Sequence, residues 1–375
     1  MDFNLTAEQR LLREGAVRYL REQYSFGDYR KLIAGSAAEE TLHWGEFSEM
    51  GWLGLSFPDS EGGVGCSFLE SAILAEELGR ALVLEPYVSG VVLCGRIVER
   101  GTSSKVRCNL LPQLIEGRLH LALAHTELDA RFDFEQPGLT SVTLSGERFI
   151  LKGSKILVLA GPSANWLIVS AKLEGELALF AVRTDAPGVR RRNYQLLDRT
   201  GASDFDFEDV TLDKEALVAS GNAAVSLLDE SIDRATLALV AQTLGVMEAA
   251  VEATSEHVKN RVQFEQPLGK LQAVQHMMAE SFIELQETRS MLYRGLADIE
   301  SATPLRRSAV SAAKAYAGRA GKIVGANCVQ LHGGYGITEE YLVAHCYRKL
   351  VLLEKLFGDT EYHTKRVAEH FLPAA

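Results

Sequence analysis

The chain reads as an α+β protein in three consecutive parts: an N-terminal helical domain, a middle β-barrel or β-sandwich domain, and a C-terminal four-helix bundle. Three observations predict this. The apolar period is helical up to about residue 118, drops to two between about 119 and 222, and becomes helical again from about 223 to the end. Glycine and proline cluster in the connectors and turns, as at Gly51 to Gly65 and at Pro162, Pro187 and Gly188. At 375 residues and 47% apolar composition, the chain can bury the core that such a three-part body needs. The expected boundaries are 1–118, 119–222 and 223–375.

In the first part, Leu5, Leu11, Leu12, Val17 and Leu20 form an approximate helical stripe, and Ser67 to Leu82 forms another around Glu76-Glu77-Leu78-Gly79-Arg80. In the second, Val142 and Leu144 face Phe149 and Leu151 across a Ser145-Gly146 turn, the pattern of a hairpin. Trp166 to Ala171, Glu176 to Val182 and Phe205 to Leu212 read as further strands. In the third, Leu237, Val240, Leu244, Met247, Val251, Thr254 and Val258 recur at three- and four-residue steps, one stripe along a helix of roughly 40 Å. Leu271, Val274, Met278, Phe282 and Leu285 mark a second helix. Pro304 opens an Ala-rich third that ends before Gly333, and residues 341 to 371 supply a fourth.

Bulk properties exclude several functions. A net charge of −11 argues against a nucleic-acid surface, and Arg190-Arg191-Arg192 reads as a solvated loop. No uninterrupted apolar run reaches membrane-spanning length, and charges occupy the place of a signal-peptide core. The five cysteines lack metal-ligand spacing and read as thiols in a reducing cytoplasm, with no metal expected.

Chemistry concentrates in a few segments. Gln330-Leu331-His332-Gly333-Gly334-Tyr335-Gly336 places glycines after a helix, where backbone amides can approach a phosphate closely, although glycines also end helices for structural reasons. Arg261-Val262-Gln263-Phe264-Glu265-Gln266-Pro267 lies at a helix-to-helix connection, with Gln272 just beyond it. An arginine fork fits a diphosphate, an aromatic ring can flank a base, and a glutamine can bond a ribose or base; the bland alternative is a turn whose Phe264 plugs a core. Asp233, followed by Arg234, lies four residues before Leu237 and so on the apolar stripe. Two readings are open for it: a catalytic base, or an acid that complements a helix N-terminus capped by Ser231.

Taken in order along essentially the whole chain, these segments and the helical–β–helical arrangement resemble the acyl-CoA dehydrogenase family. The resemblance is strongest to the small subunits of pimeloyl-CoA dehydrogenase and related heteromeric enzymes, through Met1-Asp2-Phe3-x-Leu5-Thr6, Leu121 to His125, Asp233-Arg234-Ala235 and Leu356 to Asp359. It implies an FAD-dependent dehydrogenase subunit that desaturates a bulky or dicarboxylic acyl-CoA, sterol-derived thioesters included. It also implies an α₂β₂ assembly with a paralogous subunit, and an electron-transfer flavoprotein as acceptor. By the same resemblance Arg261, Phe264, Gln272, Gln330, Gly333, Gly334 and Thr126 contact the flavin cofactor, and Asp233 is the base of a smaller branch of the family. The chain departs from the family pattern at Glu265, where a glycine is usual, in the loop His125-Thr126-Glu127-Leu128-Asp129-Ala130, at Val158 to Gly161, and at Phe357-Gly358, where most members carry a glutamate base. An alternative of another class follows from these departures: a non-catalytic partner that completes the flavin site of a paralogous chain. Flavin-dependent hydroxylation on the same fold is a third.

Overall fold

A computed structural model describes residues 4–35, 42–128, 130, 132, 134 and 138–372. The beginning of the Met-Asp-Phe motif and Asp129 lie outside the described residues. The N-terminal part contains helices α1 (Ala7–Gln23), α2 (Phe26–Ala34), α3 (Trp44–Glu49), α4 (Phe68–Arg80), α5 (Arg96–Arg100) and α6 (Ser104–Ile115). Thr6 and Gln9 open α1 with a capping box, each side chain bonding the other's backbone N–H. The buried face of α1 runs through Gln9, Ala16 and Leu20, while Leu11 is 67% exposed. The expected stripe is thus displaced, because Leu11 and Leu12 are adjacent and cannot share one face of a helix.

The middle part is one eight-stranded mixed sheet: β1 (Leu121–Ala124), β2 (Ser141–Ser145), β3 (Arg148–Leu159), β4 (Trp166–Leu173), β5 (Glu176–Arg183), β6 (Val189–Gln195), β7 (Gly201–Asp213) and β8 (Leu217–Ser220). The order is β6-β7-β3-β2-β4-β5-β8, with β1 parallel to β4. The expected hairpin is present, with Val142 opposite Leu151 and Leu144 opposite Phe149. Alternation along β7 drives Phe205, Phe207, Val210 and Leu212 into a core shared with Leu151, Val169 and Phe180. Arg190-Arg191-Arg192 proves to be strand β6, not a loop. It remains solvated, and Arg190 and Arg192 pair with Glu208 and Asp204 of the neighbouring strand.

The C-terminal part holds α7 (Gly221–Asn260), α8 (Gln272–Asp298), α9 (Thr303–His332), α10 (Leu342–Lys355) and α11 (Thr360–Phe371). Helix α7 has 40 residues, about 60 Å at the usual rise and longer than the expected 40 Å, and it starts at Gly221, close to where the helical period returns. Its middle is buried on every side, with Ala235, Leu237, Ala238, Val240 and Ala241 all enclosed, so the expected stripe is only part of the contact surface. It is also apolar and long enough to cross a membrane, yet 83% of its most apolar window is buried within the protein. The expected fourth helix is two. Phe357 and Gly358 have φ of 55° and 109°, and a Cβ at Gly358 would meet the Tyr362 ring at 2.4 Å, so α10 cannot run on into α11.

The chain forms two compact units: Met1–Lys31, Ala72–Val83 and Thr236–Ala375 make one, and Leu32–Ser71 with Leu84–Ala235 make the other. Within the first unit, small residues let helices touch backbone to backbone. A Cβ on Gly79 would lie 2.3 Å from the Gln242 carbonyl, and one on Gly245 would lie 1.9 Å from that of Glu76. Helix α9 presents Gly318 against Glu354 and Thr360, and Gly325 against Tyr347, so α10 and α11 pack closely along it.

Candidate active site

Asp233 lies about three turns inside α7, because the helix begins at Gly221. The first-turn reading therefore fails: Ser231 is an interior residue of the helix, not its cap, and the N-terminal partial charge fades within one turn. The Asp233 side chain is fully buried, and it has a polar or charged partner. Next to it, Arg234 bonds Glu230 at 3.0 Å and lies 5.5 Å above the Phe68 ring. Glu230 also accepts from Arg96 at 2.6 Å, and Arg96 reaches Glu99 at 2.8 Å. Burial pushes the Glu230 carboxyl up, but the hydrogen bonds and charges of Arg96 and Arg234 outweigh it and hold it below its ordinary value. The Arg234 charge is thereby engaged by Glu230.

The turn where most members of the resembled family carry their base is occupied differently. Lys314, 2% exposed, donates to the carbonyls of Leu353, Glu354 and Gly358 at 2.8, 3.0 and 3.0 Å. It closes the end of α10, and burial pushes its ammonium down to about 7. The Glu354 carboxylate accepts from the Thr360 backbone and hydroxyl at 3.2 and 2.9 Å, and Asp359 caps α11 through the Tyr362 N–H. His363, almost wholly buried, bonds Ser311 at 3.1 Å and the Phe357 carbonyl at 3.0 Å. Both carboxylates beside the turn, Glu354 and Asp359, serve the fold.

Arg261 follows the last turn of α7, and its N–H returns to the His257 carbonyl. The segment then makes a tight hairpin, with Gln263 opposite Gln266 and Val262 opposite Pro267. Phe264 and Glu265 at its tip have φ of 50° and 64°, the two left-handed positions of a type I′ turn that asparagine and glycine ordinarily fill. Phe264 is 81% exposed and plugs no core. Gln272, the first residue of α8, is exposed as well. At the end of α9, Gln330 is exposed, Gly333 has a φ of 62°, and a Cβ at Gly334 would meet nothing within 4 Å. This chain's own packing thus makes no demand for glycine at position 334. The hairpin and the glycine turn are joined by an unforeseen contact: the rings of His257 and His332 stack with centroids 4.2 Å apart. Arg261, Gly333 and Gly334 therefore sit on one end of the same unit, exposed and adjoining, an arrangement that fits a diphosphate. His257 was legible only as a residue one helical turn before Arg261.

Thr126 and Asp233 belong to the other unit. Thr126 is half-buried, and its carbonyl accepts from Ile156 N–H. Glu127 turns inward to Lys155 at 2.6 Å, and Lys155 also donates to the His125 carbonyl and to Ser170. Burial pushes Lys155 below its ordinary value in spite of the Glu127 bond and charge. Beside this loop is a cavity of about 800 Å³ lined by Glu127, Leu139, Ser154, Lys155, Arg192 and Asp204, among others. Leu157, next to the lining residue Ile156, lies in a bulge of β3 and has a φ of 53°.

Three family models cover nearly the whole chain: the N-terminal domain of acyl-CoA dehydrogenase over residues 6–118, the middle domain over 122–214 and the C-terminal domain over 225–372. The short-chain specific acyl-CoA dehydrogenase of Clostridium acetobutylicum is 26% identical over 96% of this chain and 97% of its own. Subunit CarC of the caffeyl-CoA reductase-Etf complex of Acetobacterium woodii is 28% identical over 84% and 85%. A solved structure described as a Tcur3481-Tcur3483 steroid ACAD variant matches with a TM-score of 0.87 and 28% identity, over 97% of both chains.

Proposed function

The chain belongs to the acyl-CoA dehydrogenase family, FAD-dependent oxidoreductases acting on CH–CH bonds, and from that premise we propose that Asp233 is the base that removes the α-proton of an acyl-CoA thioester. One observation carries this reading: a carboxyl with no exposed surface in the interior of a 40-residue helix. Withdrawal from water makes a carboxylate a stronger base. Its competitors near the C-terminus, Glu354 and Asp359, are committed to capping the turn between α10 and α11.

Bound FAD supplies the hydride acceptor for the β-carbon. Arg261, Gly333 and Gly334 would hold the diphosphate of an FAD shared with an adjoining subunit, with Phe264 and Gln272 at its adenosine half and Gln330 beside the glycines; Thr126 would meet a flavin edge. Aspartate is one methylene shorter than glutamate, so the substrate's α-carbon has to come about 1.5 Å nearer to α7. The substrate is a bulky or dicarboxylic acyl-CoA, sterol-derived thioesters among them, a reading supported by the likeness to the steroid ACAD. That structure's paired name supports an α₂β₂ assembly with a paralogous subunit, and the CarC relative's Etf complex supports an electron-transfer flavoprotein as acceptor. The compartment is cytoplasmic, and the domains run 1–118, 119–222 and 223–375.

Asp233→Asn in the purified assembly tests the base. Turnover should fall by a factor of about 10² to 10⁴ with the flavin absorbance intact. Near-normal turnover would remove the assignment. The second reading, a subunit that completes its partner's flavin site without doing chemistry, is favoured by Glu265 in the hairpin and by the turn at Phe357-Gly358, and it would survive that result.

A further inference from the structure

The His257–His332 stack has no part in the chemistry assigned to Asp233, yet it lies where the hairpin meets the glycine turn. His332 Nδ1 is 2.9 Å from the Cys328 carbonyl, which makes Nδ1 the donor and leaves Nε2 as the nitrogen that can gain a proton. His257, half-buried on α7, faces the His332 ring at an interplanar angle of 21°. Arg261 follows one turn later on the same side, close enough for its charge to act on His257. Among the described residues, Cys328 lies one turn before His332, and the Tyr341 ring meets His332 edge-on at 6.4 Å with Tyr335 beyond it. Burial lowers both imidazoles, and for His257 the neighbouring His332 and Arg261 lower it further. Two neutral rings can stack, whereas a proton on either one adds a cation beside Arg261. An anion over Gly333 and Gly334 would reverse that balance.

We propose that the stacked His257–His332 pair, with Arg261, is an anion-sensing element that takes up a proton from solvent when the cofactor's diphosphate docks over Gly333 and Gly334. This rests on the placement of the diphosphate given above. The proton goes to a ring nitrogen, His332 Nε2 or its counterpart on His257, and no bond to the cofactor forms. Because the occupied site binds more protons than the empty one, affinity is greatest at low pH and declines as pH rises through the pKa of the occupied site. The phosphates of FAD are fully ionised throughout that range, so the slope belongs to the protein.

The experiment uses the purified assembly, stripped of flavin and titrated with FAD between about pH 5.5 and 8.5, followed by flavin fluorescence. Binding should weaken by about tenfold from the low to the high end of the range, with proton uptake visible by calorimetry in two buffers of different ionisation heat. His257→Gln, or His332→Gln should the first fold poorly, should flatten the profile to less than about twofold. A wild-type affinity that ignores pH, or a slope that both variants keep, overturns the proposal. Arg261→Gln separates the two levels. If it abolishes FAD binding while the histidine variants change nothing, only the sensor fails; if it leaves FAD binding untouched, the placement of the diphosphate fails and takes the sensor with it.

Discussion

Asp233 and Lys155 are both ionisable and both enclosed, and the protein satisfies them differently. Lys155 is surrounded by named acceptors, the Glu127 carboxylate, the His125 carbonyl and the Ser170 hydroxyl, so its role is to lock the Thr126 loop to the sheet. Glu127 in turn accepts the backbone N–H of Thr140, tying both edges of that loop together. Replacing Lys155 by methionine would leave Glu127 buried and unpaired, and should destabilise the protein by about 3–5 kcal/mol, read as a lowered denaturation midpoint. A change below about 1 kcal/mol would mean that water replaces the lysine. Asp233 has a partner too, and its near-isosteric replacement by asparagine should lower turnover far more than it lowers the denaturation midpoint. The sequence marked Asp233 through its place on the apolar stripe. It could not mark Lys155, because a lysine at an alternating position in a strand reads as solvent-facing until the fold encloses it.

The hairpin from Arg261 to Pro267 is the element in which local propensity and observed conformation disagree most. Two consecutive left-handed residues, neither of them glycine, store about 1–2 kcal/mol each. Glu265→Gly should recover about 1 kcal/mol, offset in part by the greater freedom of glycine in the unfolded chain, and raise the melting midpoint by about a degree or two. If Glu265 stands there to repel a second diphosphate, the same variant should raise flavin content from one per two chains towards one per chain. An unchanged flavin ratio in the variant would leave the strain without that explanation. The break between α10 and α11 belongs to the same scale. Gly358 and Asp359 supplied a stop and a cap that could be read in the sequence, but the three carbonyls gathered by Lys314 come from tertiary packing.

For the molecule as a whole, an acid–arginine network joins α1, α4, α7 and α8 within one unit. Glu76 lies 2.9 Å from Arg13 and 3.6 Å from Arg289, while Arg80 pairs with Glu77 and Glu248. Burial pushes the Glu76 carboxyl up to about 7 against the pull of Arg13. The folded state therefore holds a proton that the unfolded state gives up between about pH 4.5 and 7, so Glu76 stabilises at low pH and loses that contribution as pH rises through 7. Glu76→Gln should flatten the decline in melting midpoint between about pH 4.5 and 7, a difference of about 1–3 kcal/mol at pH 8 relative to pH 5. Parallel profiles for variant and wild type would show that the arginines keep Glu76 ionised throughout. Assembly is the remaining property at this scale. Co-expression with the paralogous chain should yield one FAD for every two chains, and one FAD per chain would contradict a shared site.

By itself the sequence determined the order of helical, β and helical parts, the hairpin at Ser145-Gly146 and the start of α9 at Pro304, since each is written in local periodicity or in a short motif. The reading of Asp233 as a first-turn acid capped by Ser231 failed, because the helix runs back a further twelve residues to Gly221. Only the tertiary structure decided that Asp233 is interior to its helix and closed from water, that Glu127 and Lys155 face each other, and that His257 meets His332. Those are contacts between residues distant in the chain or between a side chain and its whole surroundings, and burial is a property that no single segment possesses until the others have packed around it.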